Sequence, residues 1–180
     1  MTNFTAPEFF LNRELAQLGF NRRVLAQAAS TDVPLLERLK FLCIVSSNLD
    51  EFFEIRVAGL KEQIKYNSTV TGPDGLSPRT AFPLISQQAH QLVAEQYALL
   101  NNIILPELAL EGVRILRRTQ WNAAQSAWVQ DYFFREVLPV LTPIGLDPAH
   151  PFPRVLNKSL NFAVEREGKD AFGRNSATAI

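Results

Sequence analysis

Residues 35–64 read LLERLKFLCIVSSNLDEFFEIRVAGLKEQI, and their pattern predicts how this part of the chain folds. Apolar residues recur every three or four positions on both sides of its polar centre, residues 46–51, as in helices with one buried face. Within that centre, Ser47 and Asp50 form one helix-cap motif, and Asn48 and Glu51 form a second. The stretch therefore predicts two packed helices, with a new helix starting at the polar centre and Ser47 and Asp50 as its supporting cap.

The same periodicity predicts further helices at residues 12–29, 82–104 and about 120–139. Pro106 and Pro139 are expected to end the last two, because proline lacks an N–H and clashes with the preceding turn. Two short segments, residues 113–116 and 160–164, have the apolar and alternating character of strands. The fold class is therefore mainly α, with some β-structure expected after about residue 111.

Composition narrows the functional class. The chain has 180 residues, 47% hydrophobic and 20% charged, with a formal net charge of +0, so it should be globular without a broad basic surface for nucleic acid. No apolar run approaches the roughly 20 residues of a membrane-spanning helix. Cys43 is the only cysteine, which excludes an internal disulfide. We expect it to be buried and inert, as in a cytoplasmic protein.

Few side chains in the sequence indicate a catalytic or ligand-binding role. Phosphate-loop, dinucleotide and nucleophile-elbow motifs are absent, and His90 and His150 are best explained by surface or packing roles. Arg56 falls on an apolar stripe, so it either extends to solvent or pairs with a carboxylate, for which Glu14 is the candidate. Asn48 is either a helix cap or, because a carboxamide both donates and accepts, a reader of a nucleobase edge.

Three longer segments resemble one family. FLNRELAQLGFNRRVLAQA (residues 10–28), VPLLERLKFLCIVSSNLDEFFEIRVAGLKEQI (33–64) and VLTPIGLDPAHPFPRVLNKSLNFAV (140–164) are similar to the amino-terminal part of polyphosphate kinases of the long bacterial, phosphohistidine class. The resemblance covers nearly the whole chain in the same order. It implies a helical N-terminal domain over residues 1–111 and the beginning of an α+β head domain over residues 112–180.

The resemblance also implies a function. Such enzymes transfer the γ-phosphate of ATP reversibly to inorganic polyphosphate, require Mg²⁺ and form homo-oligomers, dimers or tetramers, in the cytoplasm or in a larger membrane-associated complex. By this resemblance Asn48 contacts ATP, with Phe41 or Leu49 as apolar neighbours of the base. The phosphorylated histidine and the Mg²⁺ ligands belong to C-terminal domains, so this chain carries no catalytic residue and is expected to be inactive alone.

One local departure and one alternative stand beside this interpretation. Where the family usually has Ser-Trp after Arg-Glu-Leu, this chain has Ala16 and Gln17, which puts the packing or an interface near the first helix in question. The alternative function is a non-catalytic helical scaffold or oligomerisation module that keeps the family sequence without binding nucleotide.

Overall fold

Residues 4–146 and 151–164 are described by a computed structural model. The chain divides between Ile115 and Leu116 into two units. All the regular secondary structure in these described ranges is helical, which confirms the prediction of a mainly α fold. The boundary at residue 111 stays a prediction.

Three helical rods build the first unit. In chain order its main elements are α1 (Arg13–Ala29), α2 (Leu35–Glu51), a π-helical turn (Phe52–Val57), α3 (Ala58–Lys65), α4 (Pro78–Leu99), a second π-helical turn (Leu100–Ile104) and α5 (Leu105–Leu110). Each π-helical turn continues one α-helix into the next, so α2 with α3 and α4 with α5 form two long rods. Helix α1 packs against both α2 and α4, and the apolar faces of the three rods form one core.

The predicted helix start at residues 46–51 is wrong. Helix α2 begins at Leu35, with Pro34 as its N-cap, and runs unbroken through Ser47 and Asp50. No proline or glycine interrupts residues 35–58. The buried positions Leu42, Val45 and Leu49 keep the helical spacing through the polar stretch. Packing of this face outweighs the weak helix propensity of serine and asparagine.

A π-helical turn explains why the apolar pattern changes phase after Leu49. Phe52 and Val57 are both buried although they are five residues apart, and Leu99 and Ile104 repeat this spacing in the other rod. A π-helical turn bonds residue i to i+5, so it returns residues five apart to the same face. Without it, Val57 and Ile104 would rotate away from the core.

Pro106 does not end the helix as predicted. It lies in the first turn of α5, directly after the π-helical turn, and the rod continues to Leu110. The wider turn resets the backbone bonding pattern, so Pro106 occupies a helix-start position where its missing N–H costs little. In the second unit the π-helical turn Phe133–Val137 is followed by a single 3₁₀ turn (Leu138–Val140) and then by extended backbone, so that helix does end around Pro139 as predicted.

A buried arginine ties the three rods together. Arg38 of α2 donates from Nε to the carbonyl oxygen of Ala28, 2.9 Å away, in the last turn of α1. Its Nη1 donates to Glu107 Oε2 of α5 at 2.6 Å. The carbonyl groups of a final helical turn lack helical partners, so Arg38 satisfies one of them while its charge is neutralised by Glu107.

The first turn of α1 is held by a cap that also fixes the loop before α4. Asn12 accepts a hydrogen bond from the Leu15 amide at 3.0 Å, and its Nδ2 donates to Asp74 Oδ2 at 2.8 Å. Gly75 turns this loop with a φ of +78°, a conformation that glycine adopts without steric cost. The cap residue therefore ties this loop to the start of α1.

The second unit contains one α-helix among its described residues, α6 (Ala123–Tyr132), which a capping box at Asn122 begins. The strands predicted at residues 113–116 and 160–164 do not form in the described structure. Leu160, Phe162 and Val164 are exposed. An alternating sequence makes a strand only when a neighbouring strand accepts its backbone hydrogen bonds, and these segments have no such neighbour within the described ranges.

Candidate functional site

Asn48 lies on α2 at the point where α1 crosses it. Its side chain is half-buried, and Nδ2 donates to Oδ1 of Asn21 at 2.8 Å. Asn21 is fully buried, between Leu18 and Leu25 on the inner face of α1. The hydrogen bond between the two carboxamides therefore anchors the Asn48 side chain to the buried face of α1.

A second polar contact crosses to α4 beside it. Gln96 donates from Nε2 to Ser46 Oγ at 2.6 Å and to the carbonyl oxygen of Leu42 at 3.0 Å. Ser46 and Asn48 thus each bond to a different neighbouring helix. Within the polar stretch, Ser46 and Asn48 therefore join α2 to α4 and α1, and hydrogen bonding removes the cost of burying Asn21 Oδ1 and the Gln96 amide.

The assignment of Ser47 and Asp50 as a helix cap is wrong. Both side chains are exposed in the middle of a continuous helix, where every backbone N–H already bonds within the helix. A cap needs free N–H groups, and the unbroken helix offers none at these positions. Asn48 is not a cap either, so its side chain needs another explanation.

One atom of Asn48 is available to a ligand. In the described structure, Asn48 Oδ1 receives no hydrogen bond, and the side chain that carries it is half-buried. Ile44, one helical turn earlier on the same face, is 38% exposed and provides apolar surface beside it. Leu49 is buried and cannot touch a base, whereas Phe41 is half-buried.

The predicted pair of Arg56 and Glu14 shares a cavity without forming an ion pair. The cavity has a volume of about 510 Å³ and lies among the start of α1, α3 and the loop before α4. Among the described residues, Arg56 and Glu14 do not form an ion pair with each other. Both are half-buried, so water can solvate the charges that the prediction assumed to need each other.

The histidine and cysteine residues do not contribute to the candidate site in the part of the chain that the structure describes. His90 is exposed on α4, and its Nδ1 lies 2.7 Å from the carbonyl oxygen of Ser86, one turn earlier. His150 lies outside the described residues. Cys43 is exposed, contrary to the prediction that it is buried, because the inner face of α2 passes through its neighbour Leu42.

A Mg²⁺ site does not fit the residues that the structure describes. Over residues 4–146 and 151–164, no group of three His, Cys, Asp or Glu side chains lies together in a way that suits a metal ion. No step through this ion is therefore assigned to these residues. In the same ranges, no helix combines the length and apolar character that crossing a membrane requires.

Sequence reasoning missed three functional or structural side chains, Asn21, Arg38 and Gln96. Each is a polar residue at a buried position of an otherwise apolar helical stripe, such as Asn21 between Leu18 and Leu25. That placement is the signal that could have revealed them, since a polar group at a core position needs a partner.

Two family models match this chain. One, described as polyphosphate kinase N-terminal domain, matches residues 10–116, and the other, polyphosphate kinase middle domain, matches residues 124–180. The chain belongs to the polyphosphate kinase family. The resemblance found in its three sequence segments is thereby confirmed.

Individual polyphosphate kinases agree with this assignment. The chain is 61% identical over 170 residues to a polyphosphate kinase of Burkholderia vietnamiensis and 60% identical to one of Burkholderia multivorans. Each match covers 94% of this chain and 25% of the relative, so the chain spans about a quarter of their length. The crystal structure of polyphosphate kinase from Porphyromonas gingivalis is similar with a TM-score of 0.67 and 26% identity, over 90% of this chain and 24% of that one.

Proposed function

We propose that this chain forms the nucleotide-contacting N-terminal part of an ATP:polyphosphate phosphotransferase. The enzyme transfers the γ-phosphate of ATP reversibly to inorganic polyphosphate. The proposal rests on family membership and on one geometric observation: Asn48 is anchored through its amide to Asn21 and keeps its carbonyl oxygen free. A polar atom without a hydrogen-bond partner on a half-buried side chain, beside apolar surface, is suited to orienting a ligand.

Asn48 contacts the adenine base in this proposal. Its free oxygen accepts a hydrogen bond from the 6-amino group of adenine, and Ile44 packs against the ring. The triphosphate extends away from α2, because the exposed carboxylates Asp50 and Glu51 on the same helix repel phosphate. The chain's share of the reaction is therefore to bind and orient the nucleotide.

Other parts of the activity are assigned to the remaining length of the relatives. The phosphorylated histidine and the Mg²⁺ ligands belong there, and the active enzyme is a homo-oligomer, a dimer or a tetramer, in the cytoplasm or within a larger membrane-associated complex. Supplied alone with γ-labelled ATP, Mg²⁺ and polyphosphate, the 180-residue chain should make no polymer and gain no histidine-linked label. Label on His90 or His150 would contradict this division.

The test of the base contact is Asn48→Ala in a polyphosphate kinase of full family length that carries this sequence at its N-terminus. We expect kcat/KM for ATP to fall by a factor equivalent to about 1–3 kcal/mol, the loss from one unmade hydrogen bond at a partly buried site. Preference for ATP over GTP should also decrease. Gln96→Leu is the matched control, because it breaks the neighbouring polar contact without touching Asn48.

Stability is measured alongside the kinetics. Asn48→Ala leaves the buried Asn21 carboxamide without its bond, so the thermal midpoint should fall. If the midpoint falls in both variants but ATP kinetics and base preference change in neither, Asn48 is only a structural residue. That result would favour the alternative of a non-catalytic helical scaffold.

A further inference from the structure

We propose that the outer face of α4 is a surface through which two copies of this chain associate. The α4 outer face is the exposed side of this rod from Thr80 to Asn101, which includes the first residues of the π-helical turn after α4. The inference goes beyond the nucleotide contact, because it concerns a different rod and needs no ligand. Its main exposed residues are Leu84, Gln87, Gln91, Ala94, Tyr97 and Ala98.

The α4 outer face has almost no charge. From Thr80 to Ile104 the sequence contains one Asp, Glu, Lys or Arg, which is Glu95, although charged residues make up 20% of the chain. Glu95 pairs with Arg22 of α1 at 3.4 Å, on the side towards that helix. The exposed side of α2, by contrast, carries charges such as Glu37 and Lys40. A helix face towards solvent normally carries charges, whereas the centre of a protein interface is depleted of them.

Two exposed apolar side chains add to this signal. Leu84 is 42% exposed and Tyr97 is 56% exposed, near the two ends of the face. Tyrosine is enriched at interfaces, where its ring is covered and its hydroxyl group still finds a partner. The α4 outer face is therefore suited to burial against another protein surface.

A second copy of this chain is the partner that the face fits. In a two-fold dimer the same patch meets itself, so a charged patch would bring like charges together, whereas an uncharged patch does not. A two-fold axis between His90 and Gln91, at the middle of the face, makes the two helices antiparallel. Gln87 then lies opposite Ala94 of the other copy, so a long side chain meets a small one on each side of the axis.

The length of the face sets the expected strength of the contact. Residues 80–101 cover about 33 Å of helix, which is about 10 Å wide. Two such faces bury on the order of 1,000 Å² in total, at the lower end of specific interfaces. We therefore expect a weak dimer, with a Kd on the order of 10 μM.

Sedimentation equilibrium of the 180-residue chain, from about 1 to 100 μM, measures this association. The mass should rise with concentration from 20.2 kDa towards twice that value. Ala94→Arg places a charge at the centre of the contact and should raise the Kd about tenfold or more. Ala16→Arg, at an exposed alanine of α1, is the matched control and should leave the Kd unchanged.

Disulfide cross-linking tests the antiparallel arrangement. With Cys43→Ser as background, the double variant Gln87→Cys, Ala94→Cys should form a covalent dimer under mild oxidation. These two positions lie about 10 Å apart within one helix, which is farther than a disulfide reaches, so the bond must join two copies. Each single-cysteine variant should cross-link much less, because its cysteine faces a non-cysteine residue of the other copy.

The inference is overturned if the chain keeps a mass of 20.2 kDa throughout, or if Ala94→Arg and Ala16→Arg have equal effects. Single-cysteine variants that cross-link as well as the double variant would also overturn it. In an enzyme of full family length the same double variant should cross-link. Its failure there would mean that the remaining length of the enzyme covers this face, which equally contradicts association through α4.

Circular dichroism checks that each variant is folded, and Gln87→Arg replaces Ala94→Arg if the latter does not fold. An enzyme of full family length that stays oligomeric in folded Ala94→Arg, without the cross-link, retains the proposed homo-oligomer and loses only the α4 contact. No nucleotide enters these measurements, so they are independent of the base contact at Asn48.

Discussion

Replacing Glu107 by methionine should destabilise the bundle strongly, and replacing its partner Arg38 as well should restore part of the loss. In the folded chain Arg38 Nη1 lies 2.6 Å from Glu107 Oε2, with side-chain exposures of 6% and 38%. Methionine is unbranched, similar in length to glutamate and shorter than arginine, and it packs adaptably. The substitutions therefore remove charge with little change in volume.

The expected losses in the free energy of unfolding are unequal, because Arg38 is more deeply buried than Glu107. Removing one partner of a fully buried ion pair costs about 3–5 kcal/mol, and the partial exposure of Glu107 reduces this to about 2–3 kcal/mol for Glu107→Met. Arg38→Met should cost about 1–2 kcal/mol, since the Ala28 carbonyl loses its donor while Glu107 can turn to water. The double variant should match Arg38→Met within about 0.5 kcal/mol.

The assay is urea unfolding of the 180-residue chain, followed by far-ultraviolet circular dichroism. The matched control is the exposed pair of Arg22 and Glu95, 3.4 Å apart, which also joins two helices. Glu95→Met should cost no more than about 1 kcal/mol. A double variant of Arg38 and Glu107 whose loss equals the sum of the single losses would refute the idea that an uncompensated buried charge causes the destabilisation.

Three further predictions use the same unfolding measurement. Ser47→Ala should raise stability by a few tenths of a kcal/mol, because alanine is the better helix former at an exposed mid-helix position; a loss of 0.5 kcal/mol or more would support a cap. Asn12→Ala should lower the free energy of unfolding by about 1–2 kcal/mol, because α1 loses its cap and the bond to Asp74. An unchanged unfolding midpoint would argue against Asn12 as a stabilising cap. Replacing Arg56 and Glu14 together should cost the sum of the single changes within about 0.5 kcal/mol, whereas larger coupling would indicate an ion pair.

Sequence periodicity located most helices but not their continuity. The first helix was predicted at residues 12–29 and is observed at Arg13–Ala29, because both its cap and its apolar stripe are local signals. The polar centre at residues 46–51 carries cap motifs, so the sequence favoured a new helix there, and no local signal marked the five-residue spacing between Phe52 and Val57. Only the burial of both residues reveals a π-helical turn instead.

The candidate site was only partly predictable, because its hydrogen-bond partners are far apart in the sequence. Family resemblance pointed to Asn48, but its hydrogen-bond partner is 27 residues away on another helix. Ser46 and Gln96 are 50 residues apart. Local patterns favoured a cap for these polar residues, because serine and asparagine bond readily to nearby backbone, and tertiary contacts between helices decided otherwise.

Photochemical labelling of the full-length enzyme with 8-azido-ATP tests the central claim that α2 contacts the nucleotide base. Trypsin cuts after Lys40 and Arg56, so residues 41–56, which include Asn48, are released as one peptide. Label should be found on this peptide, should be displaced by excess ATP, and should decrease in Asn48→Ala. ATP-displaceable label that occurs only on other peptides would contradict the account.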